Sequence, residues 1–190
     1  MKTPYQQQDV LDVVRGIVAE VLGYERDEVD PDNTLGDDLD ADSLSFVEIT
    51  YSLEKRFNIA LPKKNIVDHA AELSGGEEAF VTATGGLTEA GVFLLERSFF
   101  DFAPGYLQPG VKRYAVLGVT TPRHWASACF HMLGQLPEVC PDCGHDTATT
   151  APNHALVCAG CGAALKPRDG DEVLAALVPG LIPQAQKLAA

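Results

Sequence analysis

At 190 residues the chain can form one large domain or two or three small ones, and 46% hydrophobic with 22% charged residues excludes a globally disordered polymer. The formal net charge is −13, and the acid is concentrated: residues 1–83 hold 7 Lys+Arg and 18 Asp+Glu, against 7 and 9 in residues 84–190. A field of that sign repels nucleic-acid phosphates and anionic membranes and attracts basic protein surfaces, so the expected partners are proteins, with no nucleic acid and no membrane.

The first element is predicted over residues 7–22, where Val10, Val14, Ile17 and Val21, flanked by Leu11, Val18 and Leu22, make a broad apolar helical face ended by Gly23. A long loop follows, with Val29, Leu35 and Leu39 as buried anchors. It leads into Gly36-Asp37-Asp38-Leu39-Asp40-Ala41-Asp42-Ser43, where four aspartates fall within six residues. Asp42 or Ser43 can cap the helix that starts here, because a short side-chain oxygen satisfies a free N–H of the first turn. Four carboxylates exceed what a cap requires, although each gains from the helix dipole, and a cationic visitor is expected. From Ser43 onward, Phe46, Ile49, Leu53 and Phe57 form one buried stripe, while Leu44, Val47 and Tyr51 lie on a neighbouring face beside Ser43. A small bundle seldom needs both faces for its own core, so the second is expected to be a contact surface.

Asp42-Ser43-Leu44, followed by Val47-Glu48, Leu53-Glu54, Phe57-Asn58-Ile59 and Leu61-Pro62, resembles the acyl carrier protein family from its Asp-Ser-Leu motif through its second helix. The resemblance implies that a separate phosphopantetheinyl transferase esterifies the Ser43 hydroxyl with 4′-phosphopantetheine. It also implies that the thiol of that arm carries acyl groups as thioesters among acyl-loading and acyl-processing enzymes. A phosphodiester at a helix N-terminus is favoured by free N–H groups and by the dipole, so elementary electrostatics agrees. Glu48 and Glu54 match the family's recognition carboxylates. Lys55 and Arg56 stand where acidic residues are commoner, which points away from the usual fatty-acid synthesis enzymes.

Beyond Leu61-Pro62, residues 63–73 read as a third helix with Ile66, Val67 and Ala70 inward and Asp68 and His69 solvated. The Thr-Val-x-Asp pattern of the family's last short helix is absent, and residues 77–81 or the following segment are expected to close the bundle. A helix is predicted from Thr88 to about Phe102, with Val92, Leu94, Leu95 and Phe99 apolar. Its phenylalanines exceed what one helix buries, so it should pack against the carrier bundle. Pro104-Gly105 and Pro109-Gly110 mark turns, and residues 114–119 suit either a short strand or a link. Thr121-Pro122 and Gly134 bracket a helix carrying Trp125, Cys129, Met132 and Leu133 at helical spacing. Cys129 with His124 or His131 would suit a nucleophile and base, but its place on the apolar stripe favours packing. Residues 84–137 weakly resemble the C-terminal extensions of some specialised bacterial acyl carriers.

Cys140-Pro141-Asp142-Cys143-Gly144 and Cys158-Ala159-Gly160-Cys161-Gly162 are separated by 14 residues. Each pair aims two thiolates at one point, and the glycine after it permits the backbone to turn N–H groups toward sulfur. Cys140, Cys143, Cys158 and Cys161 therefore suit tetrahedral Zn²⁺ in a closed structural site. With the strand-like residues 147–150 and 155–157 joined across Pro152-Asn153, this segment resembles a zinc ribbon. His145 and His154 are neighbours, and a redox role for the pairs lacks the βαβ context it requires. Residues 169–188 read as partly helical, broken at Pro179-Gly180, with the tail docked on the ribbon or on a partner.

The expected fold is mainly α: an acyl-carrier-like bundle at 4–83, a helical extension at 84–137, a β zinc ribbon at 138–168 and a tail at 169–190. The expected function is carriage of acyl intermediates in a specialised lipid or natural-product pathway, fatty-acid or polyketide in type, by a protein that is not itself an enzyme. The alternatives are a zinc-ribbon interaction or redox module with a non-functional carrier domain, and an enzyme built on Cys129. No apolar run approaches the ~18–20 residues that span a bilayer. Met1-Lys2-Thr3-Pro4-Tyr5 has no apolar leader region, and a cytoplasmic location is expected.

Overall fold

A computed structural model describes residues 1–152 and 154–188. Among these the elements run α1 (Gln7–Leu22), α2 (Ser43–Phe57), α3 (Ile66–Ser74), α4 (Glu89–Leu95), α5 (Pro122–Leu133), β1 (Ala148–Thr150), β2 (Leu156–Cys158) and α6 (Gly170–Leu188). The fold is mainly helical with one two-stranded antiparallel sheet, as expected. None of these helices is long and apolar enough to cross a membrane.

Caps set the helix bounds. Gly23, in the left-handed region at φ 76°, ends α1, and Asn58 at φ 52° ends α2. The Asn65 side chain accepts from the N–H groups of Val67 and Asp68 at the start of α3. Thr121 caps α5 with Pro122 in the first turn, where the missing N–H costs nothing. Val10, Val14 and Val18 of α1 meet Ile49, Leu53 and Phe57 of α2, all buried. The loop between them is tacked down by Val29, Leu35 and Leu39, also buried.

Among the described residues no fourth carrier helix follows α3 to close the bundle. Residues 77–81 form a turn, with Phe80 and Val81 N–H groups both donating to the Glu77 carbonyl, and Phe80 is fully buried. The remaining closure comes from far along the chain, because α6 packs against α3 and α4. Gly170 N–H donates to the Ala60 carbonyl at 3.0 Å. The Asp171 carboxylate accepts from the backbone N–H groups of Lys63 and Lys64 and lies 3.1 Å from His69 Nε2. His69 is thus paired and largely buried, not solvated, and the tail docks on the carrier. A Cβ at Gly170 would lie 2.5 Å from Pro62 N and 2.8 Å from the Ala60 oxygen. Gly170→Ala is accordingly expected to lower stability by roughly 1–3 kcal/mol, the usual cost of overpacking, measurable by denaturant unfolding.

Two other elements differ from expectation. Residues 88–102 form only α4, because the chain turns after Leu95, where the Ser98 hydroxyl donates to the Leu95 carbonyl. Thr88 still caps it, and Phe99 and Phe102 are buried on the main core. Pro179-Gly180 does not break α6, which continues to Leu188 with Pro179 and Pro183 inside it. The two prolines are four residues apart and exposed, so the carbonyls they leave unbonded face water.

Residues 113–115 form a 3-10 turn, and the chain beyond them runs beside the loop that precedes α2. Leu35 N–H donates to the Thr120 carbonyl and Gly36 N–H to the Gly118 carbonyl, each at 2.8 Å. Gly36 and Gly118 touch so closely that a Cβ on Gly36 would sit 2.9 Å from the Gly118 Cα. Arg123 grips Asp32 with two hydrogen bonds of 2.6 and 2.8 Å. These bonds join the extension directly to the loop that presents Ser43, and α5 also packs along α1.

Candidate functional site: Ser43 and the four-cysteine cluster

Asp42 and Ser43 compete for the cap of α2, and Asp42 takes it. Its carboxylate accepts from Ser45 N–H and from the Ser45 hydroxyl, both at 2.8 Å, and Ser45 Oγ in turn accepts from Asp42 N–H at 3.4 Å. The Ser45 N–H bond, reinforced by the Ser45 hydroxyl, holds the Asp42 carboxyl below the usual carboxylate range. Ser43 therefore occupies the first helical position, exposed, and its hydroxyl makes no hydrogen bond among the described residues. It sits where the free N–H groups and dipole of a four-turn helix favour a phosphate.

The acidic loop is partly structural. Asp38 accepts from Thr34 N–H and Thr34 Oγ1 at 2.7 and 2.8 Å, which lowers its pKa. Two of the four aspartates are thus used to shape the loop, while Asp37 and Asp40 are exposed. Glu54, matched in sequence to a recognition carboxylate, instead accepts from Leu61 N–H at 2.9 Å and secures the loop after α2. Glu48 is exposed. Beside it Leu44, Val47 and Tyr51 are 70, 65 and 62% exposed, while Ile49, Leu53 and Phe57 on the opposite stripe are buried.

At the other site the two cysteine pairs form matching knuckles. Gly144 N–H donates to the Cys140 carbonyl and Gly162 N–H to the Cys158 carbonyl, each at 2.9 Å, with φ of 74° and 75° at the two glycines. β1 and β2 pair Ala148 with Cys158 and Thr150 with Leu156. Asn153, at the expected tip of this hairpin, lies outside the described residues. All four Sγ atoms fall within 4.8 Å of one another, with Cys140–Cys161 at 3.8 Å and Cys143–Cys158 at 3.6 Å. A Zn–S bond of about 2.3 Å implies a tetrahedron edge of about 3.8 Å, so the sulfurs fit a metal and stand too far apart for a disulfide. Backbone N–H groups of Cys161 and then Gly160 point at the Cys158 sulfur and bring its thiol down to about 6. His145 is a neighbour: its ring packs where a Cβ on Gly160 would stand. Cys129 is fully buried and burial pushes its thiol far up, so it has neither the access nor the acidity of a nucleophile.

Residues 12–71 match a family described as the phosphopantetheine attachment site. The chain is 41% identical over 66 residues to an acyl carrier protein of Cyanidioschyzon merolae, covering 35% of this chain and 67% of that protein. It is 36% identical over 64 residues to an acyl carrier protein of Thermobifida fusca, covering 34% of this chain and 81% of that one. The chain belongs to the acyl carrier protein family. A meromycolate extension acyl carrier protein of Mycobacterium tuberculosis is 35% identical over 63 residues, 33% of this chain and 55% of its own length. No solved structure matches. As an acyl carrier protein the chain serves a carrier function, and α2 with most of α1 and most of α3 lies within the family match. Four close cysteines able to hold a metal lie outside it.

Proposed function

We propose that Ser43 carries a 4′-phosphopantetheine arm on which acyl intermediates are tethered as thioesters, in a specialised lipid or natural-product pathway. The observation that supports it most is the division of labour at the start of α2: Asp42 serves as the cap and leaves the Ser43 hydroxyl exposed and unbonded. In the loading step Ser43 Oγ displaces adenosine 3′,5′-bisphosphate from the phosphorus of coenzyme A and loses its proton, a reaction assigned to a phosphopantetheinyl transferase. The chain itself has no catalytic role. Its contribution is covalent tethering, which replaces a bimolecular encounter with a high effective concentration at each docked enzyme. Incubation with a transferase and coenzyme A, read by intact mass, tests this.

Partner enzymes, both acyl-loading and acyl-processing, are assigned to the exposed face of Leu44, Val47 and Tyr51, with Glu48 supplying charge to a basic partner surface. Leu44→Glu and Glu48→Lys should each slow transfer to Ser43 by fivefold or more, a loss of about 1 kcal/mol that only a minority of interface residues reach on truncation, with unchanged melting temperature. An unchanged rate in both variants would remove this face from recognition. Lys55 and Arg56 on the last turn of α2 favour partners other than general fatty-acid synthesis. Zn²⁺ on Cys140, Cys143, Cys158 and Cys161 is assigned a structural role, since four thiolates leave no open position for substrate. The functional units are placed at 4–83, 84–137, 138–168 and 169–190, and paired reduced thiols suit the cytoplasm.

A further inference from the structure

A cleft of about 700 Å³ lies between α1 and α5, lined by Gln7 and Leu11 from one helix, His124 and Ser127 from the other, and by Asp101 and Tyr106. It shares no residue with the Ser43 motif or the cysteine knuckles, and its volume is that of a small-molecule site. Two of its side chains are more than nine-tenths buried yet keep a free polar group: His124 is 9% exposed and Ser127 7%. His124 Nδ1 accepts from Thr121 N–H at 3.1 Å, so the ring proton sits on Nε2. Neither that Nε2–H nor the Ser127 hydroxyl makes a hydrogen bond among the described residues. No sealed side-chain nitrogen or oxygen among those residues lacks a partner, so both free groups open onto the cleft they line. Burial, opposed by the Asp32 and Asp101 carboxylates and aided by the Arg123 charge, pushes the His124 pKa down. At neutral pH the ring is therefore an uncharged N–H donor.

Asp32, Asp101 and Arg123 are the charged side chains of the lining. Both oxygens of Asp32 are taken by Arg123. Asp101 has no hydrogen bond or ion pair among the described residues. One carboxylate is thus left for a cation, and two buried donors are left for an oxygen. In a chain of net charge −13 an anionic oxygen is repelled, so the oxygen that fits is a neutral hydroxyl or carbonyl. We propose that this cleft binds a small organic ammonium bearing such an oxygen: the ammonium pairs with Asp101, and the oxygen accepts from His124 Nε2 and the Ser127 hydroxyl. Leu11 and the Tyr106 ring offer apolar surface to its alkyl part. The site does not depend on the modification of Ser43.

L-Leucinol is the probe, added to the full chain. Isoamylamine is the matching ammonium without the hydroxymethyl group, and isohexanol the matching alcohol without the ammonium. Titration followed by NMR should give saturable shifts at the His124 ring and at the Asp101 and Ser127 amides, with half-saturation on the order of 1 mM, as suits a ligand this small. Each truncated probe should bind about fivefold more weakly or worse. Asp101→Asn removes the charge but keeps a residue type that tolerates the positive φ of 50° found there, and should weaken leucinol binding about tenfold. Ser127→Ala removes a hydroxyl that bonds nothing among the described residues and should weaken it about threefold. Melting temperature should be unchanged in both variants. Shifts that fail to saturate, equal binding of either truncated probe, or an affinity unaltered in either variant overturns the proposal.

Discussion

Exposed to a broad-specificity phosphopantetheinyl transferase and coenzyme A, the chain is expected to gain one phosphopantetheinyl group, and Ser43→Ala is expected to gain none. The expected effect is all or nothing, because the variant lacks the oxygen that forms the phosphodiester. The substitution should leave the fold intact: Ser43 is exposed, its hydroxyl bonds nothing among the described residues, and Asp42 and Ser45 keep the cap without it. Alanine is also a good residue at a first helical turn. Circular dichroism and intact mass on the same samples separate modification from folding. Equal modification of the Ala variant would move the attachment point elsewhere, and an unmodified wild-type chain would end the carrier reading of this serine.

Removal of metal is expected to unfold residues 138–168 while α1, α2 and α3 stay folded. The ribbon's buried hydrophobic side chains are Ala148, Leu156 and Leu165 with two cysteines, too little to order a segment this short unless ligation supplies its folding free energy. One Zn²⁺ per chain should be found by elemental analysis. Cys143→Ser should abolish it, leaving thiols that titrate freely. The carrier should remain modifiable at Ser43, because its core residues Val14, Ile49, Leu53 and Ile66 are supplied by α1, α2 and α3. A metal-free protein that cycles between thiol and disulfide would favour a redox device. Loss of Ser43 modification in Cys143→Ser would show that ribbon and carrier fold as one unit. Hydrogen bonds tie the ribbon to its surroundings: the amino terminus of Met1 donates to the Glu138 carbonyl, Tyr5 Oη to that of His154, and Arg168 N–H to the Gln135 carbonyl of the extension.

What could be foreseen from sequence was whatever is local. The bounds of α1, α2 and α5 followed from Gly23, Asp42 and Thr121-Pro122, because a cap is chemistry between residues a few positions apart. The loop anchors Val29, Leu35 and Leu39 and the knuckle glycines followed for the same reason. Long-range addresses were not legible. The apolar positions Val173, Leu174 and Val178 announce that α6 buries a face but not that the face belongs to α3 and α4. His69 gave no sign of a partner 102 positions away. The approach of residues 118–120 to the loop before Ser43 was invisible for a similar reason: it is made by backbone bonds from Leu35 and Gly36 to carbonyls far along the chain. Glu54 carried a misleading signal, since an acidic residue matching a recognition pattern is satisfied internally by Leu61 N–H.

The docking of α6 on α3 also sets a schedule for synthesis. His69 and Asp171 are 102 residues apart, so at about 5–20 residues per second the ribosome delivers the second partner on the order of 5–20 s after the first. Through that interval Ile66, Val67 and the backbone N–H groups of Lys63 and Lys64 wait without the element that covers them, while the whole extension and the cysteine knuckles emerge. A nascent chain stalled before Gly170 should therefore be a substrate for chaperones and proteases that leave the finished protein alone.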